Sequence, residues 1–126
     1  MKTFWLGLGL ALSLVPACTS DDTNTSSSGT SGAPAAATVT VSPNKFEPQE
    51  VTIKVGQSVA WRFTGGTHNV VGGTNCAADT SANKFRSGDP QSGGSFEKKF
   101  DTAGTFDYFC EPHCSVGMTG KVIVTP

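Results

Sequence analysis

"TFDYFCEPHCSVGM", residues 105–118, joins a strand-like stretch to a loop dense in soft metal ligands. Its first half alternates, with Phe106, Tyr108 and Cys110 on one face and Asp107 and Phe109 on the other, the period of a half-buried strand. The strand cannot run on, because Pro112 has no N–H to donate and fixes its own φ. Cys110, His113 and Met118 then follow the spacing C-x2-H-x4-M. With only two residues between them, Cys110 and His113 belong to one short turn and face one side of it.

Outward from this stretch the same period of two recurs. "TVTV" (38–41), "VTIKV" (51–55) and "VAWRF" (59–63) alternate apolar with polar residues. "SFEKKF" (95–100) puts Phe96 and Phe100 on one face with Lys98 out of pattern, and "KVIVTP" (121–126) closes the chain. Gly56 and Gln57 predict a hairpin turn between the second and third stretches. Pro43 and Pro48 place the first stretch at an edge or a bend. Residues 72–94, rich in Gly, Ser, Asn and Asp, read as a long irregular excursion with Phe85 as its large apolar anchor. Many short strands without a helical period predict an all-β fold, a two-sheet sandwich over residues 38–126.

Upstream, "GGTHNVV" (65–71) presents His68, and His68 and His113 are the only 2 histidines of the chain. A lone His or Met is ordinarily a surface or packing residue. One thiolate and two imidazoles in a trigonal set, with a weak thioether on the axis, instead form the ligand set of a blue-copper electron-transfer site. Thiolate and thioether favour Cu(I) and imidazole suits either state, so one geometry serves both Cu(I) and Cu(II).

Through "GQSVAWRF", "HNV", "GTFDYFCEPHCSVGM" and "GKVIV", residues 38–126 resemble the small cupredoxins of the plastocyanin and pseudoazurin type. The resemblance implies a Greek-key β-sandwich of seven or eight strands. It implies one copper ion held by His68 on one end loop and by Cys110, His113 and Met118 on another at the same pole. It further implies that Asn69 ties the two ligand loops together and that Gly120 lets the chain return into its last strand. The implied function is single-electron carriage, not enzyme catalysis, since no coordination position stays open for substrate. Redox proteins such as a c-type cytochrome or a membrane oxidoreductase or reductase are the implied partners, met by a monomer in small, transient encounters at the apolar pole near His113, Val116, Gly117 and Met118. Plastocyanins also present an exposed aromatic beside the copper Cys and an acidic patch; the corresponding aromatic is Phe109, flanked by Asp107 and Glu111, with no sustained acidic run.

Cys76 and Cys114 depart from the family pattern. Exported proteins tend to pair their thiols, and each of these lies close in sequence to a ligand, so a disulfide between them is expected, clamping the two ligand loops. A rival reading uses the C-x3-C spacing of Cys110 and Cys114 for a dinuclear copper electron-transfer centre. That pattern needs a His four residues after the second Cys, where Met118 stands. A copper carrier or storage protein is the main alternative from another class, although carriers favour all-sulfur coordination of the monovalent ion.

Lys and Arg number 9 against 10 Asp and Glu, for a net charge of −1, which argues against a nucleic-acid partner. Residues 1–17, "MKTFWLGLGLALSLVPA", read as a secretion signal, too short and too rich in small residues at its end to span a bilayer. "LVPAC" resembles a bacterial lipobox, so Cys18 is expected to carry lipid; the alternative is an ordinary cut near Ala17 with Cys18 left as a free thiol. The rest of 18–37 has no large apolar side chain and is expected to be a flexible linker with an end-to-end distance of about 25 Å. Together these place an exported, lipid-anchored protein in the periplasm or at the cell surface.

Overall fold

The structure, a computed structural model, describes residues 33–126. The expected signal, the lipidation site Cys18 and most of the linker lie outside the described residues. Nine strands follow in chain order among the described residues: β1 Ala37–Ser42, β2 Lys45–Glu47, β3 Glu50–Lys54, β4 Ser58–Phe63, β5 Val71–Thr74, β6 Ala77–Ala78, β7 Ser95–Lys99, β8 Gly104–Phe109 and β9 Thr119–Thr125. A 3-10 helix, Glu111–Val116, separates β8 from β9. The expected sandwich is present with a strand or two more than the resemblance implied, because β2 and β6 are short pieces that pairing, not pattern, defines.

One sheet has the order β2-β1-β4-β7 and the other β3-β9-β8-β5-β6. Both are mixed: β1 runs parallel to β4 and β3 parallel to β9, while β8 pairs with β9 in antiparallel fashion over its full length. Pro43 and Pro48 flank β2, which is an edge strand, as their missing N–H groups require. The turn at Gly56 and Gln57 does not close a hairpin. It carries the chain from one sheet to the other, and its ends pair with Phe100, the Gly56 N–H donating to the Phe100 carbonyl at 2.7 Å and the Phe100 N–H to the Gln57 carbonyl at 2.9 Å.

Between the sheets lies a core in which Trp61 is the central side chain. Its ring stacks on Phe85 at 5.9 Å and on Phe96 at 5.5 Å, and meets Tyr108 edge-on at 5.3 Å. Such aromatic pairs add about 0.5–1.5 kcal/mol each beyond the area they bury. Lys98, on the same face as Phe96, is half-buried, and its ammonium lies 6.0 Å from the Phe100 ring centroid. Cys110 and Met118 belong to this same core, so two of the candidate ligands are rooted in the buried interior.

Gly120 has a role different from a chain return. It pairs with Tyr108 across β8 and β9, and a Cβ there would run into the Tyr108 ring. Close approach of the two strands over that ring is what demands glycine.

Candidate metal centre

β8 ends at Phe109, and Cys110 leads into the 3-10 helix with Pro112 in its first turn. The loop is closed on itself by backbone bonds. The Cys110 N–H donates to the Met118 carbonyl at 3.1 Å, and the His113 and Met118 N–H groups donate to the Cys110 and His113 carbonyls at 3.2 Å each. Three candidate ligands are thereby fixed relative to one another before any ion is considered.

His68 is held separately. It follows β4, and its backbone exchanges two hydrogen bonds with Gln91, N–H to carbonyl at 3.0 and 2.8 Å. A Cβ at Gly66, whose φ is +74°, would collide with the His68 ring at Nε2, so the glycine leaves room for the imidazole.

The two loops converge. Cys110 Sγ lies 3.6 Å from His68 Nδ1 and 3.5 Å from His113 Nδ1, and the three ligand atoms all fall within 4.8 Å of one another. An ion centred among nitrogen and sulfur donors at bond lengths of about 2.0–2.3 Å would space those donors by about 3.5–3.7 Å. The donor set therefore fits a single soft ion. Met118 is fully buried and returns to the same pole, bonded through its backbone to Cys110 and His113. Cys110, His68 and Asn69 are also buried, whereas His113 is only partly so.

Burial acts on two of the candidate donors, favouring the neutral form of each. Burial pushes the His68 imidazole below its ordinary value, helped by the neighbouring His113 and opposed by the Gly65 carbonyl, which keeps a lone pair available. Burial raises the Cys110 thiol, opposed by the Asn69 and His113 backbone amides. Thiolate ligation therefore expels a proton from this site.

Asn69, next to His68, is joined to the Cys110 loop through Glu111. The Glu111 N–H donates to Asn69 Oδ1 at 2.9 Å, and Asn69 Nδ2 donates to Glu111 Oε2 at 2.6 Å and to the Gly88 carbonyl at 3.3 Å. Arg86 grips the same carboxylate with two bonds of 2.7 and 2.6 Å. That grip holds Glu111 below the usual carboxylate range, with the Asn69 amide adding to it. Arg86 went unnoticed in the sequence because it is one cation in a polar stretch, 25 residues from its partner.

Cys76 and Cys114 form the expected disulfide. It joins the β5–β6 turn to the residue after His113, and it removes Cys114 as a thiolate, which rules out the dinuclear reading. Phe109 is 2% exposed and packs with Val71 and Cys114 in a small second core, so it is no exposed aromatic facing a partner.

Residues 35–125 match the family model described as copper binding proteins, plastocyanin/azurin family. A chloroplastic plastocyanin of Tetradesmus obliquus is 47% identical over 83 residues, covering 63% of this chain and 57% of that protein. Amicyanin-alpha of Methylorubrum extorquens is 38% identical over 89 residues, covering 68% of this chain and 69% of that protein. Among solved structures, oxidised plastocyanin from Dryopteris crassirhizoma superposes with a TM-score of 0.58 at 28% identity, over 70% of this chain and 99% of that one. An oxidised amicyanin variant gives 0.59 at 30% identity, over 75% and 87%. The match thus spans little more than half the length of the Tetradesmus protein and most of the solved domains.

Proposed function

Because this chain belongs to the plastocyanin/azurin family of copper-binding proteins, we propose that it is a single-electron carrier in which His68, Cys110, His113 and Met118 hold one copper ion. The observation that carries this reading is the pair of Nδ1 atoms at 3.6 and 3.5 Å from a buried cysteine sulfur. When bound, copper supplies a one-electron couple between its Cu(I) and Cu(II) states.

The protein's part is to hold the donors still. The closed backbone of the Cys110 loop, the Asn69 bridge and the disulfide each fix one donor against another. A site so braced suits both oxidation states with little movement, and its buried walls keep water from taking a coordination place. No position is left for substrate, which fits a carrier and not an enzyme.

His113 is the way in and out for the electron, since it alone among the four reaches the surface. Around it stand Pro112, Gly117 and Val116, the last 66% exposed. This apolar rim suits a short-lived encounter with a redox protein, such as a c-type cytochrome or a membrane oxidoreductase. With Phe109 covered, the rim is the docking face we assign. Export behind a signal over 1–17, lipid on Cys18 and a linker to residue 37 would place this monomeric carrier on a bacterial envelope membrane, in the periplasm or at the cell surface.

Copper added to the purified full-length chain should bind one ion per chain and give an intense visible band that reductant bleaches and oxidant restores. A copper carrier or store would bind the monovalent ion without that band. Stoichiometric copper with no visible band rejects the electron-carrier reading.

A further inference from the structure

Among the described residues three ion pairs occur, and one differs from the others in kind. Lys45–Glu47 and Lys99–Asp101 are single contacts between side chains at least 60% exposed. Arg86–Glu111 is a two-bond fork whose carboxylate also accepts from Asn69, a fully buried residue beside His68. Glu111 in turn follows Cys110 directly, and its N–H is bound to Asn69.

Exposed ion pairs ordinarily contribute about 0–1 kcal/mol to stability, and a bidentate Arg–carboxylate fork such as this one stands at the favourable end. Its place in the molecule gives it another role. Without a partner, the Glu111 carboxylate would stand as a bare negative charge one residue from the candidate sulfur ligand. A negative charge there favours the more positive metal state, and a positive charge disfavours it. Arg86 cancels that charge, and its planar fork also fixes the carboxylate where Asn69 needs it.

We propose that Arg86 and Glu111 are a charge-balanced positioning pair for the copper site: Arg86 fixes the Glu111 carboxylate on Asn69 and neutralises it, so that the reduction potential reflects a compensated pair. This rests on the copper reading above. Asn69 transmits the position, and the net charge of the pair transmits the potential.

The test compares full-length, copper-loaded wild type with Arg86→Gln, Glu111→Gln and the double variant. Arg86→Gln leaves a bare carboxylate and is expected to lower the potential. Glu111→Gln leaves a bare guanidinium and is expected to raise it. The double variant should fall between the two, and added salt should draw the single variants together. In the copper-free proteins, the Asn69 side-chain amide protons should exchange faster in both single variants than in wild type. Shifts of the same sign in the two single variants, or none, overturn the charge half of the proposal. Unchanged Asn69 exchange overturns the positioning half. A wild type that binds copper without a visible band instead defeats the copper reading, a distinct outcome.

Discussion

Two segments build the candidate site, and they do so by opposite means. Residues 110–118 carry three of the four candidate ligands and fix them by bonds made within the loop itself. Residues 72–94 carry no ligand, yet they hold His68 through Gln91, accept from Asn69 at Gly88 and balance Glu111 with Arg86. Ser87 exchanges bonds with Val70, its Oγ and carbonyl partner both at 2.9 Å, and the Gly72 N–H donates to Phe85. The short loop is chemistry with its own frame. The long segment is a frame for chemistry elsewhere, and its backbone runs back along 68–72 where composition alone suggested irregularity.

If that contrast is right, Phe85→Ala should be among the most damaging changes outside the ligands, at about 3–5 kcal/mol in denaturant unfolding, because the ring stacks on Trp61 and meets Phe100 edge-on. A loss below about 0.5 kcal/mol would return the segment to a surface loop. Replacing Cys76 and Cys114 together by Ser should cost nearly as much: closing a 38-residue separation is worth about 4 kcal/mol in the chain-entropy model. Reducing agent should lower the unfolding midpoint of the wild type and leave that double variant unmoved. Asn69→Ala cuts the one side chain that both segments share, and copper affinity measured by competition with a chelator should fall about 10–100-fold. The smallest effect belongs to Lys98→Ala, expected within about 1 kcal/mol, since only its stem and a distant cation–π contact are lost.

The same contrast explains what the sequence made legible. The 110–118 loop could be read because its function is written in residue type and local spacing, and the strands because burial on one face imposes a period of two. Pairing across the molecule is not local. Gly56 and Gln57 have hairpin chemistry, yet their strands enter different sheets, since β3 and β4 find better partners in β9 and β1. Phe109 has an outward phase on β8, but the disulfide and Val71 cover it. Asn69 was visible through the family pattern, whereas its partner Glu111 lies 42 residues away, and Arg86, which binds Glu111, lies 25 residues from that carboxylate.

The central claim is that a loop and a distant imidazole close on one copper ion through the Cys110 thiolate. Titrating the full-length chain and its Cys110→Ser variant with cupric ion, followed by visible absorption, tests it most directly. The wild type should develop an intense band that saturates at one ion per chain, and the serine variant should stay colourless at every copper concentration. A serine variant that turns as blue as the wild type would contradict the account.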